Sequence, residues 1–363
     1  MMHMTSRRVL AAILAVIPLL LAGCSESGDA ASERVTVEVP TTVTVTADPT
    51  DLPSSFIHYV ALGDSYAAMG SASGPFVGPA FCARSEDNYP HELAKLYSGI
   101  NAKRGFTDAT CQGSTTEHIL SDRDITGADI PAPVLDAEVK DTATGSATVT
   151  ESPSTSTATS TSTTATSSPT TTEDAGASTI TAQIEALEPD TDLITLSIGG
   201  NDIHFGPWSR CITGMVEDRG EADCEEGLYD DTARALVDLP KRLDAIYARI
   251  NEKAPNATII TTGYMPLLSM EDDCERTADL PSGTLNWAAG LTVTMNAMVR
   301  DAAVRNGALF VMPPNADFHS VCAPASERWT DLTGEETDSF AVHPTPTGQK
   351  QMAEAIADVL AKL

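Results

Sequence analysis

Short apolar runs recur along the chain, and each stops abruptly at glycine or at small polar residues. Residues 57–62, 193–198, 258–263 and 308–312 are runs of this kind, rich in β-branched and aromatic side chains, and residues 105–111 form a weaker one. Runs of this length bounded by turn formers read as buried strands. Helical periodicity fills the intervals. Asn88-Tyr89-Pro90-His91 leads into a short helix over 92–97, and 231–253 carries Leu236, Leu239, Leu243, Ile246 and Ile250 at three- and four-residue steps. Residues 285–306 form another helix. Thr345-Pro346 opens a last one, with Met352, Ile356, Val359, Leu360 and Leu363 on one face. Strands alternating with helices predict an α/β fold, with a parallel sheet covered on both sides. One domain over residues 56–363 accommodates all of it.

The remainder of the chain is built differently. Arg7 and Arg8 precede an apolar stretch over 9–20, which is short for a membrane span but suited to a secretory signal. No fuller twin-arginine motif surrounds the pair. The stretch ends in Leu21-Ala22-Gly23-Cys24, which resembles a bacterial lipobox. That resemblance implies a signal peptide of residues 1–23, cleavage before Cys24 and diacylglycerol on its sulfur. Residues 24–55 are Ser, Thr, Val and acids with little periodicity, as expected of a flexible tether. The Thr-Val alternation over 35–46 is expected to remain disordered as well. Between 141 and 172, 22 of 32 residues are Ser or Thr. Such a stretch buries too little to offset its ordering entropy, so a disordered insertion over about 141–178 interrupts the domain. Loop closure costs grow slowly with length, and the fold tolerates it.

Charge and cysteines narrow the function. The net charge is −29, and loss of residues 1–23 removes two arginines and no acid, giving −31. Such a surface repels nucleic acid and anionic headgroups, so attachment to a membrane rests on the lipid at Cys24. The cysteines number seven, an odd count that Cys24 resolves. The remaining six admit 15 pairings. In an oxidising compartment the simplest is sequential: Cys82–Cys111, Cys211–Cys224 and Cys274–Cys322, each contributing about 3 kcal/mol. No Cys-x-x-Cys or His-x-x-x-His spacing offers a zinc site, and no metal or other cofactor is expected.

Four polar sites fall just past strands or before the last helix: Gly63-Asp64-Ser65, Gly113, Gly200-Asn201-Asp202 and Val342-His343-Pro344. In a parallel sheet the first three reach the carboxyl edge, where open α/β proteins place their ligands. Gly-Asp-Ser alone is a common turn, but the set together supplies a nucleophile, a base and oxyanion donors. From residue 56 onward, the insertion apart, the chain resembles the SGNH hydrolases, the GDSL esterase/lipase family. The blocks of that family carry Ser, Gly, Asn and His in this order, matched by Ser65, Gly113, Asn201 and His343. Its most specific part here is Ile198-Gly199-Gly200-Asn201-Asp202, with Phe205 and Cys211 following. The three-disulfide plan resembles the secreted actinobacterial branch.

The resemblance implies a flavodoxin-like α/β/α sandwich of three layers with five parallel strands. It also implies roles: Ser65 as nucleophile, His343 as base, and the oxyanion held by the N–H groups of Ser65 and Gly113 and the amide of Asn201. Asp64 is expected to support the turn. One departure stands out. The family places Asp three residues before the histidine, and here that position is Phe340. The Phe340 backbone carbonyl is therefore expected to orient His343, with Asp338 as the alternative.

The expected function is hydrolysis of carboxylic esters outside the cell by a membrane-anchored monomer, on acyl esters of envelope lipids or glycans. Acyl transfer at the same site is an alternative, and so is an idle surface binding protein. An α/β-hydrolase is excluded because no Gly-x-Ser-x-Gly occurs. His204 can line an acyl pocket or sit in a loop, while His58, His91, His118 and His319 lack a partner motif. Packing is the expected role of Trp208, Trp287 and Trp329. Asn256-Ala257-Thr258 matches a glycosylation acceptor incidentally.

Overall fold

The computed structural model describes residues 56–96, 105–125, 131, 139–140, 178–216 and 226–363. The expected signal peptide, Cys24, the expected tether, Cys224 and the expected insertion up to residue 177 lie outside the described residues. Five strands form one parallel sheet: β1 (Tyr59–Gly63), β2 (Phe106–Asp108), β3 (Leu193–Ser197), β4 (Thr258–Thr262) and β5 (Leu309–Val311), in the order β5-β4-β3-β1-β2. This is the flavodoxin-like order, and it reverses direction between β1 and β3. The register sets Gly63 level with Ser197 and Ala61 level with Asp108, so β1 and β3 end together at the carboxyl edge.

Alternate residues of the strands serve two cores. Val60, Leu62, Ile194 and Leu196 pack beneath two long helices, α3 (Leu228–Lys253) and α4 (Ser282–Arg305). Tyr59, Ala61, Leu193 and Ile260 pack on α1 (Tyr89–Leu96) and α5 (Pro346–Leu360). Burial on both faces explains why the strands read as continuous apolar runs instead of alternating ones. A further helix, α2 (Phe205–Val216), follows β3. Among the described residues no helix is long and apolar enough to cross a membrane.

The element boundaries shift for local reasons. β1 starts at Tyr59 because the N–H groups of Ile57 and His58 donate to the Asp192 carboxylate, both at 2.9 Å, and Ile57 stays 66% exposed. β2 ends at Asp108, whose carboxylate folds back to accept from the Thr110 N–H at 2.9 Å and hydroxyl at 2.6 Å. α1 begins three residues earlier than expected, since the Asn88 side chain accepts from the His91 N–H at 3.1 Å. The Gly/Ser/Pro loop after Ser65 contains a strand, Phe76–Val77, paired with Arg84–Ser85. Past the insertion, Ser178–Ile180 pairs antiparallel with Arg123–Ile125.

Disulfides join Cys82 to Cys111 and Cys274 to Cys322, as the sequential pairing expected. Cys211 is disulfide-bonded too. Its expected partner, Cys224, falls outside the described residues.

Candidate active site

β1 delivers Gly63, Asp64 and Ser65 to the switch point between β1 and β3. Gly63 is required by close approach: a Cβ there would lie 2.6 Å from the Ser197 carbonyl and 2.9 Å from the Ala67 side chain. Asp64 then caps the helical turn Ser65–Ala68. Its carboxylate accepts from the Tyr66 N–H at 2.9 Å, and its own N–H donates to the Ser197 carbonyl at 2.9 Å. This is the supporting role expected of Asp64. Ser65, inside that loop of bonds, is 5% exposed.

Gly113 follows β2 with φ of +66°. Only glycine adopts that conformation at little cost, and an added Cβ would press within 3.1 Å of the Arg123 guanidinium. Gln183 ties this loop to β1. Its side chain accepts from the Gly63 N–H at 2.7 Å and donates to the Gly63 carbonyl at 2.8 Å and to the Ser114 hydroxyl at 3.0 Å. Asn201, just past β3, donates from Nδ2 to the Ser114 carbonyl at 2.9 Å. An amide nitrogen carries two N–H groups, so the second remains for a ligand. Asp202 clamps the same junction by accepting from the Thr116 N–H at 2.8 Å and the Thr116 hydroxyl at 2.5 Å.

His343 comes from the segment before α5. Its Nδ1 lies 2.7 Å from the Ala341 carbonyl. A carbonyl only accepts, so Nδ1 carries the proton and Nε2 keeps its lone pair. This corrects the expectation for Phe340. The Phe340 carbonyl accepts the His343 backbone N–H at 3.2 Å instead, because Val342 at φ of +60° closes a tight turn between them. Asp338 is not the orienting acid either. Its carboxylate accepts from the hydroxyls of Ser71 at 2.5 Å and Ser73 at 2.6 Å, and from the Ser73 N–H at 3.0 Å. These bonds strap the loop after Ser65 to the loop before His343. Asp338→Asn is therefore expected to lower kcat/KM less than about threefold and stability by about 1–2 kcal/mol. A steep loss of turnover with folding intact would restore Asp338 as the orienting acid.

Among the described residues no hydrogen bond joins Ser65 to His343. The two segments meet through Tyr66, whose ring centre lies 5.7 Å from the imidazole and whose O–H donates to the Val342 carbonyl at 3.4 Å. Phe205 flanks the imidazole from another side, also at 5.7 Å. Crowding by these rings withholds solvent from the charged form. Burial pulls the imidazole pKa down from 6.5 to about 4, against the opposing hydrogen bond to Ala341. Burial raises Asp64 from 3.8 to about 7, although hydrogen bonds from Tyr264 and the Tyr66 N–H favour its ionised form.

Beside Tyr66 and Phe205 opens a cavity of about 50 Å³, walled by Ile203, Trp208, Leu291 and Met295. Trp208 stacks on Trp287 at 3.8 Å and donates to the Thr232 hydroxyl at 2.8 Å, so it packs and lines the cavity at once. Trp329 packs against His319, 3.9 Å away. Of the other histidines, His58 meets Asp190, His91 meets Asn88 and His118 meets Thr115. His204 holds the turn after Asn201 at φ of +66°.

Two polar residues of this edge escaped the sequence reading: Gln183 and Tyr264. The position of Tyr264, two residues past β4 at the same edge as Ser65, is the signal that could have found it.

Comparison with known proteins gives the fold and the family. Lipase 2 of Streptomyces coelicolor is 27% identical over 98% of this chain and 97% of its own length. The crystal structure of an extracellular lipase from Streptomyces rimosus superposes with a TM-score of 0.52 at 21% identity, covering 84% of this chain and 99% of that one. That of phospholipase A1 from Streptomyces albidoflavus gives 0.51 at 21%, covering 85% and 100%. The model of the GDSL-like Lipase/Acylhydrolase family matches residues 147–351, a span that contains both Asn201 and His343. With more than half its length matched, the chain belongs to the GDSL-like lipase/acylhydrolase family and is a serine ester hydrolase.

Proposed function

We propose that the chain is an extracytoplasmic carboxylic ester hydrolase, anchored to the membrane through lipidated Cys24, that acts by a Ser65–His343 acyl-enzyme mechanism. The observation that supports this best is the 2.7 Å contact between His343 Nδ1 and the Ala341 carbonyl. Its Nδ1–H is committed to the Ala341 carbonyl, which leaves Nε2 as the base at the edge where Ser65, Gly113 and Asn201 converge. Nε2 takes the Ser65 proton as Oγ attacks the acyl carbon. The oxyanion accepts from the N–H groups of Ser65 and Gly113 and from the free N–H of Asn201, each worth about 3 kcal/mol. Collapse expels the alcohol, which leaves with the proton from Nε2. Water then attacks the acyl-enzyme, again with His343 as base, and releases the acid.

The substrate class follows from the address and the cavity. An apolar pocket walled in part by Tyr66 and Phe205, the rings that flank the imidazole, suits an acyl chain, and a lipid anchor confines the enzyme to acyl esters of envelope lipids or glycans. The phospholipase A1 and extracellular lipase sharing this fold are consistent with acyl-lipid substrates. A series of p-nitrophenyl esters tests the reading. Each methylene buried contributes about 0.8 kcal/mol, so kcat/KM should rise about fourfold per carbon from acetate until the cavity is filled, then level off. Release of fatty acid from envelope lipid extracts should follow. Equal rates at every chain length would remove the acyl role of the cavity, and transfer of the acyl group to a sugar without free acid would reassign the enzyme as a transferase.

A further inference from the structure

Tyr264 is buried at the carboxyl edge between the two arms of the site. Its hydroxyl donates to Asp64 Oδ2, and the Gly200 N–H donates to it at 2.9 Å. The other oxygen of the same carboxylate accepts from the Tyr66 N–H at 2.9 Å. A continuous set of bonds thus runs from the turn holding Ser65, through Asp64 and Tyr264, to the residue immediately before Asn201. The Tyr264 backbone is anchored from behind: Asn296 of α4 accepts from the Tyr264 N–H at 2.8 Å and donates to its carbonyl at 2.9 Å. The fit at Gly200 is close, since a Cβ there would meet the Tyr264 ring at 3.0 Å.

We infer that Tyr264 is a positioning residue, whose hydroxyl fixes the Asn201 arm of the oxyanion cradle in register with the turn that presents Ser65. The inference rests on the catalytic reading given above. Its physical basis is the cost of leaving buried polar groups unpaired. Without the hydroxyl, the 1%-exposed Asp64 carboxylate and the Gly200 N–H both lose a partner. The Gly200-Asn201 segment then turns to recover one, which moves the amide of Asn201. A ground-state ester makes weaker use of that amide than the oxyanion does, so the loss falls on kcat.

The test is a double-mutant cycle on p-nitrophenyl ester hydrolysis. Tyr264→Phe should lower kcat about tenfold or more, with KM within twofold and the circular dichroism spectrum unchanged. Asn201→Ala should lower kcat about a hundredfold. If Tyr264 acts through Asn201, the double variant should be no slower than Asn201→Ala by more than about twofold. Losses that multiply would overturn the positioning role, as would a Tyr264→Phe effect carried by KM alone. Should Tyr264→Phe fail to fold, Gly200→Ala disturbs the same contact from the opposite side at an ordinary helical φ of −58°. It should show the same kcat loss and the same absence of a further loss on top of Asn201→Ala. An Asn201→Ala enzyme with unchanged kcat would overturn the catalytic reading itself, a result distinct from multiplying losses.

Discussion

Ser65→Ala should leave the fold intact and reduce ester turnover by roughly 10⁴–10⁶-fold. Ser65 Oγ alone supplies the attacking oxygen in the mechanism proposed, and the substitution removes it without creating a cavity larger than one oxygen atom. Residual hydrolysis would come from the oxyanion donors, which can still polarise a bound ester toward water. A fluorophosphonate probe reads the same atom directly: the wild type should be labelled and Ser65→Ala should not. Labelling that persists in the variant would place the nucleophile elsewhere. A wild type that resists the probe would favour the binding-protein reading over the enzyme.

The second large effect is in the pH profile. An imidazole titrating at its ordinary 6.5 would be about 3% neutral at pH 5, whereas one held near 4 is about 90% neutral. The acid limb of kcat/KM should therefore fall near pH 4, with activity at pH 5 about thirtyfold higher than an unperturbed histidine would permit. A limb near 6.5 would show that the rings of Tyr66 and Phe205 do not exclude solvent from the charged form. Stability in this range carries two opposed slopes. For His343 the unfolded chain takes up a proton below 6.5 and the folded one only near 4, so stability is lost as pH falls through that window. Asp64 runs the other way. The folded protein protonates it from about 7, the unfolded chain from 3.8, so stability is gained as pH falls between them. The enzyme should thus remain folded at pH 5, where the acid limb is read, and Asp64→Asn should expose the His343 slope in thermal unfolding.

The sheet was legible because its strands are buried on both faces, so that β1, β3, β4 and β5 each appear as an apolar run with a polar stop. β2, with an Asp and a Thr among its three residues, was faint for that reason. Helix periodicity located α3 and α5, whose inward residues are Leu239, Leu243, Ile246, Met352 and Ile356. The motif residues were legible as polar stops past the strands and through the family resemblance, and the structure brings Ser65, the Gly113–Ser114 loop, Asn201 and His343 to one edge. Gln183 and Tyr264 were not legible. Their partners lie 120 and 200 residues away, and a single polar residue that satisfies distant groups leaves no periodic trace. The histidine's acceptor was misassigned by one residue, since nothing about a β-branched valine announces a positive φ.

That acceptor has a consequence of its own. In a triad the group that aims the imidazole is a side chain, which one codon change deletes. Here it is a peptide oxygen, which every amino acid at position 341 would still provide. Mutational vulnerability passes instead to the bend that points this oxygen inward. It concentrates at Val342, a residue type poorly suited to φ of +60° and retained by the hydrogen bonds at both of its ends, from its N–H to Leu332 and from Tyr66 to its carbonyl.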